Sequence, residues 1–365
     1  MKSLNSSYFS RIDHLRFFAA TLVIFHHFSG NIAVSPDAGL ITNFFITWLQ
    51  KGSTGVSLFL FLTGFLFCII SDIGNKKINY KGFIYNRILR IFPLLIVLVA
   101  IVIAINRANS TPMDIFRVLT LQLNTGNPGT GWGHEFFPVG PIWTISVEFQ
   151  FYLIFPFLAL FLKRYGLKYL LGIVLLSILI RINVANLVPN PMYWNFYHTI
   201  LGRLDQFVIG MIFAVLWNRG YLNLFHSYVF SIFLTLISFT LLTYLFTLNK
   251  DNPYVASLLF SIEALLWGGV VCSYFLVGIK FNNLLDTILS KLGEISFSLY
   301  LIHLPVGIFV NKLLGFVSPN TLSDSLLQSC IRMIPIILIS MLIFNLIEKP
   351  FMSLRVKYTN KQRQG

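Results

Sequence analysis

Apolar residues along the chain gather into long runs, and the polar residues between them fall in short clusters. A hydrocarbon core of about 30 Å takes roughly 20 mostly apolar residues per helix. Ten segments approach that length, at roughly 14–34, 54–72, 92–106, 141–162, 167–181, 196–217, 225–248, 254–278, 293–312 and 327–347. The third and fifth are short. Backbone groups in lipid must be satisfied internally, so these runs are expected to be helices rather than barrel strands. The longest irregular stretch, Asn124–Pro141, is rich in Gly, Pro and Asn and reads as a loop. No fixed-period repeat and no long linker divides the chain. Residues 1–365 therefore read as one all-α, multi-pass membrane domain with a basic tail at about 351–365. The first run, Leu15–Phe28, follows Lys2 and Arg11 as a signal sequence would. It holds His26 and His27, and no small-residue cleavage site follows, so an uncleaved first span is expected.

Composition removes whole classes. The chain is 56% hydrophobic and only 11% charged, where soluble domains carry about 25% charge. Mean hydropathy is +0.75. A soluble enzyme, a secreted disulfide scaffold and a disordered chain are excluded. Net charge is +14, but the cations form no single basic face, so no nucleic-acid partner is expected. They alternate instead. With the N-terminus in the cytoplasm, eighteen of the 27 Lys and Arg residues fall in cytoplasmic segments. Six, namely Lys51, Arg107, Arg117, Arg181, Lys250 and Lys312, fall on the other side. That bias puts both termini in the cytoplasm and makes the number of spans even. Cys68, Cys272 and Cys330 lie in or beside apolar runs without a C-x-x-C pair, so neither a metal site nor a structural disulfide is expected.

Ionisable groups inside a membrane are costly and mark functional sites by default. Arg16 and His27 are eleven residues apart, about 20° beyond three full turns, so they share one helix face about 16 Å apart along the axis. His26 points about 100° away. In the fourth span, Thr144, Glu148 and Tyr152 form a stripe at i, i+4, i+8. Glu148 lies about 10 Å below the outer surface, close to the depth inferred for His27. A carboxylate there can fix the histidine's tautomer and raise its basicity. Arg203 and Asp205 enter the sixth span, and Ser296, Tyr300 and His303 share a face of the ninth, where Pro305 should loosen the helix. Glu263 and Arg332 are lone charges read as members of buried structural ion pairs. Arg87 and Arg90 lie at i, i+3 on a short amphipathic stretch entering the third span. They suit either bidentate phosphate contacts or anchoring to anionic lipid.

These segments together resemble the acyltransferase 3 family of integral membrane acyltransferases, from the first helix to the last. IDHLRFFAATLVIFHHF is similar to the family's R-x10-H opening, which falls on Arg16 and His27. GVSLFLFLTGFLF resembles the second-helix motif, with Thr63 where serine is usual. NRILRIFP, IWTISVEFQFYLIFP, RLDQFVIG, SFSLYLIHLP and the closing EKPF resemble the rest, in the family's order. The resemblance implies acyl transfer, usually of acetyl, from cytoplasmic acyl-CoA to a hydroxyl of an extracytoplasmic acceptor. The acceptor would be a lipid-linked or surface glycan such as an O-antigen sugar, and the location a bacterial inner membrane. No permanently bound cofactor is implied. Arg16, Arg87 and Arg90 would bind the donor, and His27, as base or acyl relay, would act with Glu148. Asp13, His26, Trp143, Thr144, Ser146, Tyr152, Arg203, Asp205, Tyr300 and His303 would contact substrate or support the site. The sequence ends soon after Pro350, so the membrane domain and its outer loops are expected to hold the acceptor. A proton-coupled transporter or flippase of lipid-linked sugars is the competing reading, since such proteins also bury Arg, Asp, Glu and His.

Overall fold

The computed structural model describes residues 9–125, 133–134, 137–138, 140–187, 196–222, 227–277 and 281–361. Most of the Asn124–Pro141 loop, with Lys2, Lys280 and Arg363, lies outside the described residues. The long helices are α1 (Ser10–Phe28), α3 (Thr54–Ile70), α4 (Tyr80–Ile105), α6 (Trp143–Tyr165), α7 (Leu167–Leu187), α8 (Ile200–Asn218), α9 (Tyr228–Thr247), α10 (Pro253–Leu276), α12 (Ser296–Leu314) and α13 (Leu322–Ile343). Shorter helices are α2 (Leu40–Gln50), α5 (Pro112–Leu119), α11 (Asn283–Glu294) and α14 (Lys349–Ser353). Strand β1 (Lys76–Ile78) pairs antiparallel with β4 (Thr359–Lys361), and β2 (Gly133–His134) with β3 (Phe137–Pro138). The protein is an all-α integral membrane protein.

Among the described residues, eight helices are long and apolar enough to cross a membrane: α4, α6, α7, α8, α9, α10, α12 and α13 with its extension to Ser353. Helices α2 and α3 pass that test together, meeting at a 65° bend. Helix α1 is 19 residues long and carries Arg11, Asp13 and Arg16 near its start. The ten expected segments thus appear as eight helices, one bent pair and one charged helix.

Several boundaries differ from expectation, each for a local reason. The third segment begins at Tyr80 rather than 92, because the Asn79 side chain accepts from the Gly82 N–H at 3.0 Å and caps the helix there. Arg87 and Arg90 therefore belong to the span itself, and Pro93 lies inside it without ending it. The fifth runs on to Leu187, past Arg181. That arginine is not in an outer loop: it is fully buried and ion-paired to Asp205 at 2.8 Å. Pro305 likewise lies within an unbroken α12. The C-terminal residues are not a free basic tail, since Tyr358 and Thr359 are buried and β4 closes onto β1.

Contacts between loops define two ends. At the basic end, β1 meets β4, the Ser10 hydroxyl donates to Asp286 at 3.2 Å, and Gly74 abuts the Ala159 carbonyl. At the opposite end, Trp48 donates to Thr243 and Ser325 to the Ser29 carbonyl, both at 3.0 Å. The segments grouped at the first end are those expected on one side of the membrane.

Helices α3 and α8 cross with backbones in contact. A Cβ on Gly64 would lie 1.9 Å from the Phe207 carbonyl oxygen, and one on Gly210 would lie 2.2 Å from that of Phe61. Small residues permit such approaches where lipid gives no hydrophobic drive for helix association. Phe151 stacks on Phe207 at 4.0 Å and carries α6 onto the same crossing. Gly64→Val is therefore expected to destabilise the purified protein by about 1–3 kcal/mol or more, measured as loss of thermal stability in detergent. Unchanged stability would show that the crossing can open without penalty.

Candidate functional site

A cavity of about 390 Å³ opens at the basic end and runs inward between α1, α3, α4, α6 and α12. Near its mouth stand Asn86, Arg87, Arg90, Arg355 and Tyr358; along its walls lie Asp13, Arg16, Thr63, Glu148 and Tyr152; Thr144 and Tyr300 lie farthest in. The four-residue spacing of Thr144, Glu148 and Tyr152 on α6 puts all three on the cavity wall. Arg16, Arg87, Arg90 and Glu148, distant in sequence, are thus gathered around one space.

The arginines differ in their partners. Arg16 is 3.4 Å from Asp13 of its own helix. Arg90 forms an ion pair with buried Glu348 at 2.9 Å. Glu348 sits on a π-helical turn, Phe344–Glu348, between α13 and α14, and also accepts from the Ser298 hydroxyl. The guanidinium of Arg87 faces aromatic rings, 4.9 Å from Phe67, 5.3 Å from Phe83 and 5.7 Å from Tyr152. Its Nε and that of Arg355 are buried with no hydrogen-bond partner among the described residues. Burial, then the charges of Arg90 and Arg87, make the Arg355 cation easier to deprotonate than a free one. Cations held together in a cavity have the chemistry to bind an anion.

Glu148 does not meet His27. Oε1 of Glu148 accepts from Thr63 at 3.1 Å and from Tyr152, so α3 and α6 hold the carboxylate inside the cavity. His27 lies beyond Tyr300, outside the cavity lining. The shared face of Arg16 and His27 is interrupted by α12, whose Tyr300 lines the cavity while His303 touches His27. The Thr144 and Tyr300 hydroxyls are 3.0 Å apart, and both reach the Pro141 carbonyl.

The two histidines fix each other's protonation. Nδ1 of His303 is 2.7 Å from the Tyr300 carbonyl, which can only accept, so Nδ1 carries the proton and Nε2 the lone pair. Nδ1 of His27 lies 2.8 Å from the Val23 carbonyl and 3.3 Å from that Nε2. The His27 N–H therefore points at two acceptors, and its Nε2 carries the lone pair, with no hydrogen bond among the described residues. His303 is fully buried, whereas His27 is exposed. The Val23 carbonyl and His303, not Glu148, are the groups that orient His27.

Other expected site residues lie elsewhere. Arg203 and Asp205 are buried outside the cavity: Arg203 bonds the Tyr197 carbonyl and Ser57, stacks on Tyr197 and Phe260, and lies 4.0 Å from Glu263. Asp205 pairs with Arg181 and accepts from Ser261. Trp143 packs on Tyr197 and His198. Ser146 accepts the Leu123 N–H at 2.9 Å. His26 stacks edge-on to His27, and its Nδ1 has no partner among the described residues. Arg332 bonds the amide oxygens of Asn311 and Gln328, so the expected carboxylate partner is absent among the described residues. Sequence reasoning missed Arg355, Tyr358, Asn86 and the Arg90–Glu348 pair. EKPF was visible as a motif, but nothing along the chain tied it to Arg90.

The acyltransferase domain family (Acyl_transf_3) matches residues 9–345. The chain belongs to that family. It is similar to O-acetyltransferase OatA of Staphylococcus aureus strain NCTC 8325 / PS 47, 24% identical over 335 residues that cover 85% of this chain and 52% of the relative. OatA of strain COL matches to the same extent. The chain spans about half the length of these curated relatives. No solved structure matches.

Breaking one member of a buried ion pair costs about 3–5 kcal/mol. Asp205→Ala is expected to lose stability on that scale while its folded fraction keeps wild-type ligand affinity. Weakened affinity at wild-type stability would place Asp205 in the binding site instead.

Proposed function

We propose that this protein is a membrane O-acyltransferase. It moves an acyl group, acetyl in the simplest case, from acyl-CoA at the basic, cytoplasmic face of a bacterial inner membrane. The acceptor is a hydroxyl of a surface or lipid-linked polysaccharide on the other face. The observation that carries this reading is the cavity that begins among Arg16, Arg87, Arg90 and Arg355 and ends at Thr144 and Tyr300, one helical turn from the His303–His27 pair. Phosphates suit the arginine end, because guanidinium groups make charge-assisted, bidentate contacts to them. The narrow acyl-bearing arm of the donor then follows the α6 stripe toward Tyr300.

The chemistry needs a base, since an alcohol is a poor nucleophile at neutral pH. His27 Nε2 takes the acceptor hydroxyl proton as that oxygen attacks the thioester carbonyl carbon. The tetrahedral intermediate collapses with cleavage of the C–S bond, and the imidazolium returns its proton to the leaving thiolate. The charge that forms on His27 is met by the Val23 carbonyl and the His303 lone pair, both already aimed at Nδ1–H. A hydroxyl of the Thr144–Tyr300 pair, turned away from the Pro141 carbonyl, donates to the thioester oxygen as it gains negative charge.

Two results test the reading. Cells expressing the chain should gain O-acetyl groups on their surface glycan, and unmodified glycan translocated across the membrane instead would identify a transporter. His27→Ala in stable, inserted protein should lower transfer about 10²-fold or more with donor binding intact. His303→Ala should impair transfer less, because the Val23 carbonyl still holds the ring. Substantial turnover by folded His27→Ala would move the base elsewhere.

Donor binding gives a separate check. Hydrogen bonds to charged groups contribute about 1.5–3 kcal/mol, so Arg87→Ala should weaken CoA binding about tenfold or more. Lys at this position should restore only part, having lost the planar fork. Titration calorimetry that finds wild-type affinity in the double Arg87→Ala, Arg90→Ala variant would remove these residues from the donor site.

A further inference from the structure

The C-terminal residues after α14 fold back across the cavity mouth and are held there by specific bonds. The Asn86 side chain clamps the tail backbone in both directions: its Nδ2 donates to the Val356 carbonyl at 2.7 Å, and its Oδ1 accepts the Val356 N–H at 2.9 Å. The Tyr358 carbonyl accepts the Asn79 N–H at 2.8 Å, and Thr359–Lys361 then pairs with Lys76–Ile78. Gly82 allows the approach, since a Cβ there would already stand 3.3 Å from that of Tyr358. Tyr358 is buried with its ring under the Arg87 guanidinium at 6.0 Å. This clamp delivers Arg355 to the cavity wall beside Arg87 and Arg90.

An arginine in that position meets no matching negative charge of its own among the described residues. Its Nε is buried without a partner among the described residues, and the like charges of Arg90 and Arg87 act against its own. Glu348, the nearby carboxylate, is already bonded to Arg90 and Ser298. A disordered basic tail would avoid this repulsion by staying in water. The residues that hold it in place, Asn86 and the β4 strand, work against that electrostatic cost. An anion entering between Arg87 and Arg355 would meet both guanidinium groups at the cavity wall and relieve the repulsion.

We propose that Arg355 is a phosphate-binding residue of the donor site, supplied by the C-terminal segment and positioned by the Asn86–Val356 clamp. This rests on the reading of the cavity as a phosphate-bearing donor site. The shared chemistry is a phosphate group, and acyl-CoA offers two sources, the pyrophosphate and the 3′-phosphate. Neither Arg355 nor Arg87 has a carboxylate partner among the described residues, so the two act on one anionic group or on neighbouring ones.

The test is CoA binding by titration calorimetry to the purified full-length chain in detergent, with thermal stability recorded for each variant. Arg355→Ala is expected to raise the Kd for CoA about tenfold or more, the loss of one charge-assisted contact. Arg355→Lys should recover part of that loss and, by keeping the charge, serve if the alanine variant does not fold. Asn86→Leu should weaken CoA binding although Arg355 remains, because the clamp is gone. Lys357→Ala, at an exposed position of the same tail, should bind as wild type. Repeating the series with 3′-dephospho-CoA identifies the phosphate. A loss confined to CoA points to the 3′-phosphate and an equal loss with both ligands to the pyrophosphate, and each pattern supports the proposal. Wild-type CoA affinity in a folded Arg355→Ala or Arg355→Lys protein, with Asn86→Leu also unaffected, would overturn it. Failure of the wild-type chain to bind CoA would instead overturn the donor reading on which it rests.

Discussion

Placing charge where water is scarce is the constraint that organises this protein. A buried ion loses several kcal/mol of hydration, and only a matched partner returns it. Between α7, α8, α10 and α3 the match is made: Arg181 with Asp205 at 2.8 Å, and Arg203 with Ser57, Gln206 and the Glu263 carboxylate. These bonds tie α7, α8, α10 and α3 into one unit, and the α3–α8 crossing at Gly64 and Gly210 lies within it. Charges that solve a folding problem are thus separated from charges that leave one open. Arg87 and Arg355, whose buried Nε donors have no partner among the described residues, line the same cavity.

The arrangement divides the membrane into two functional depths. At the basic end, α4, α14 and the C-terminal strand surround the mouth with guanidinium groups, one of which is neutralised through the π-helical turn that presents Glu348. Farther in, hydroxyls line the cavity around the Glu148 carboxylate, from Tyr152 through Thr63 and Thr144 to Tyr300. Helix α12 then links the two levels through one short segment. The Tyr300 side chain closes the cavity, while its carbonyl fixes the tautomer of His303, which in turn orients His27. A change in the backbone at Tyr300 would reach both the inner end of the cavity and the histidine pair.

The spans themselves could be read along the chain, because a run of apolar residues is a one-dimensional signal. So could the Thr144–Glu148–Tyr152 stripe, which needs only helical periodicity. The errors arose where partners come from elsewhere in the chain. Arg181 ended a predicted span because a lone arginine reads as a boundary, whereas Asp205 and Ser261 make it an interior residue. Glu148 and His27 were matched by estimated depth, but depth along two helices does not say which faces turn together. Two hydroxyls claim Glu148, and His303 claims His27. Arg355 looked like one more cation of a cytoplasmic tail, since the clamp that brings it inward joins residues 270 positions apart.

The central claim is that one cavity receives a donor on the basic face while its acyl group leaves on the other. Reconstitution into sealed proteoliposomes tests it directly, with acetyl-CoA labelled in its acetyl group supplied on the basic face and a glycan acceptor enclosed on the opposite face. The account predicts label covalently attached to the enclosed glycan, with unlabelled CoA released on the side where the donor was added. Intact acetyl-CoA inside the vesicles, or glycan crossing the membrane without label, would contradict it.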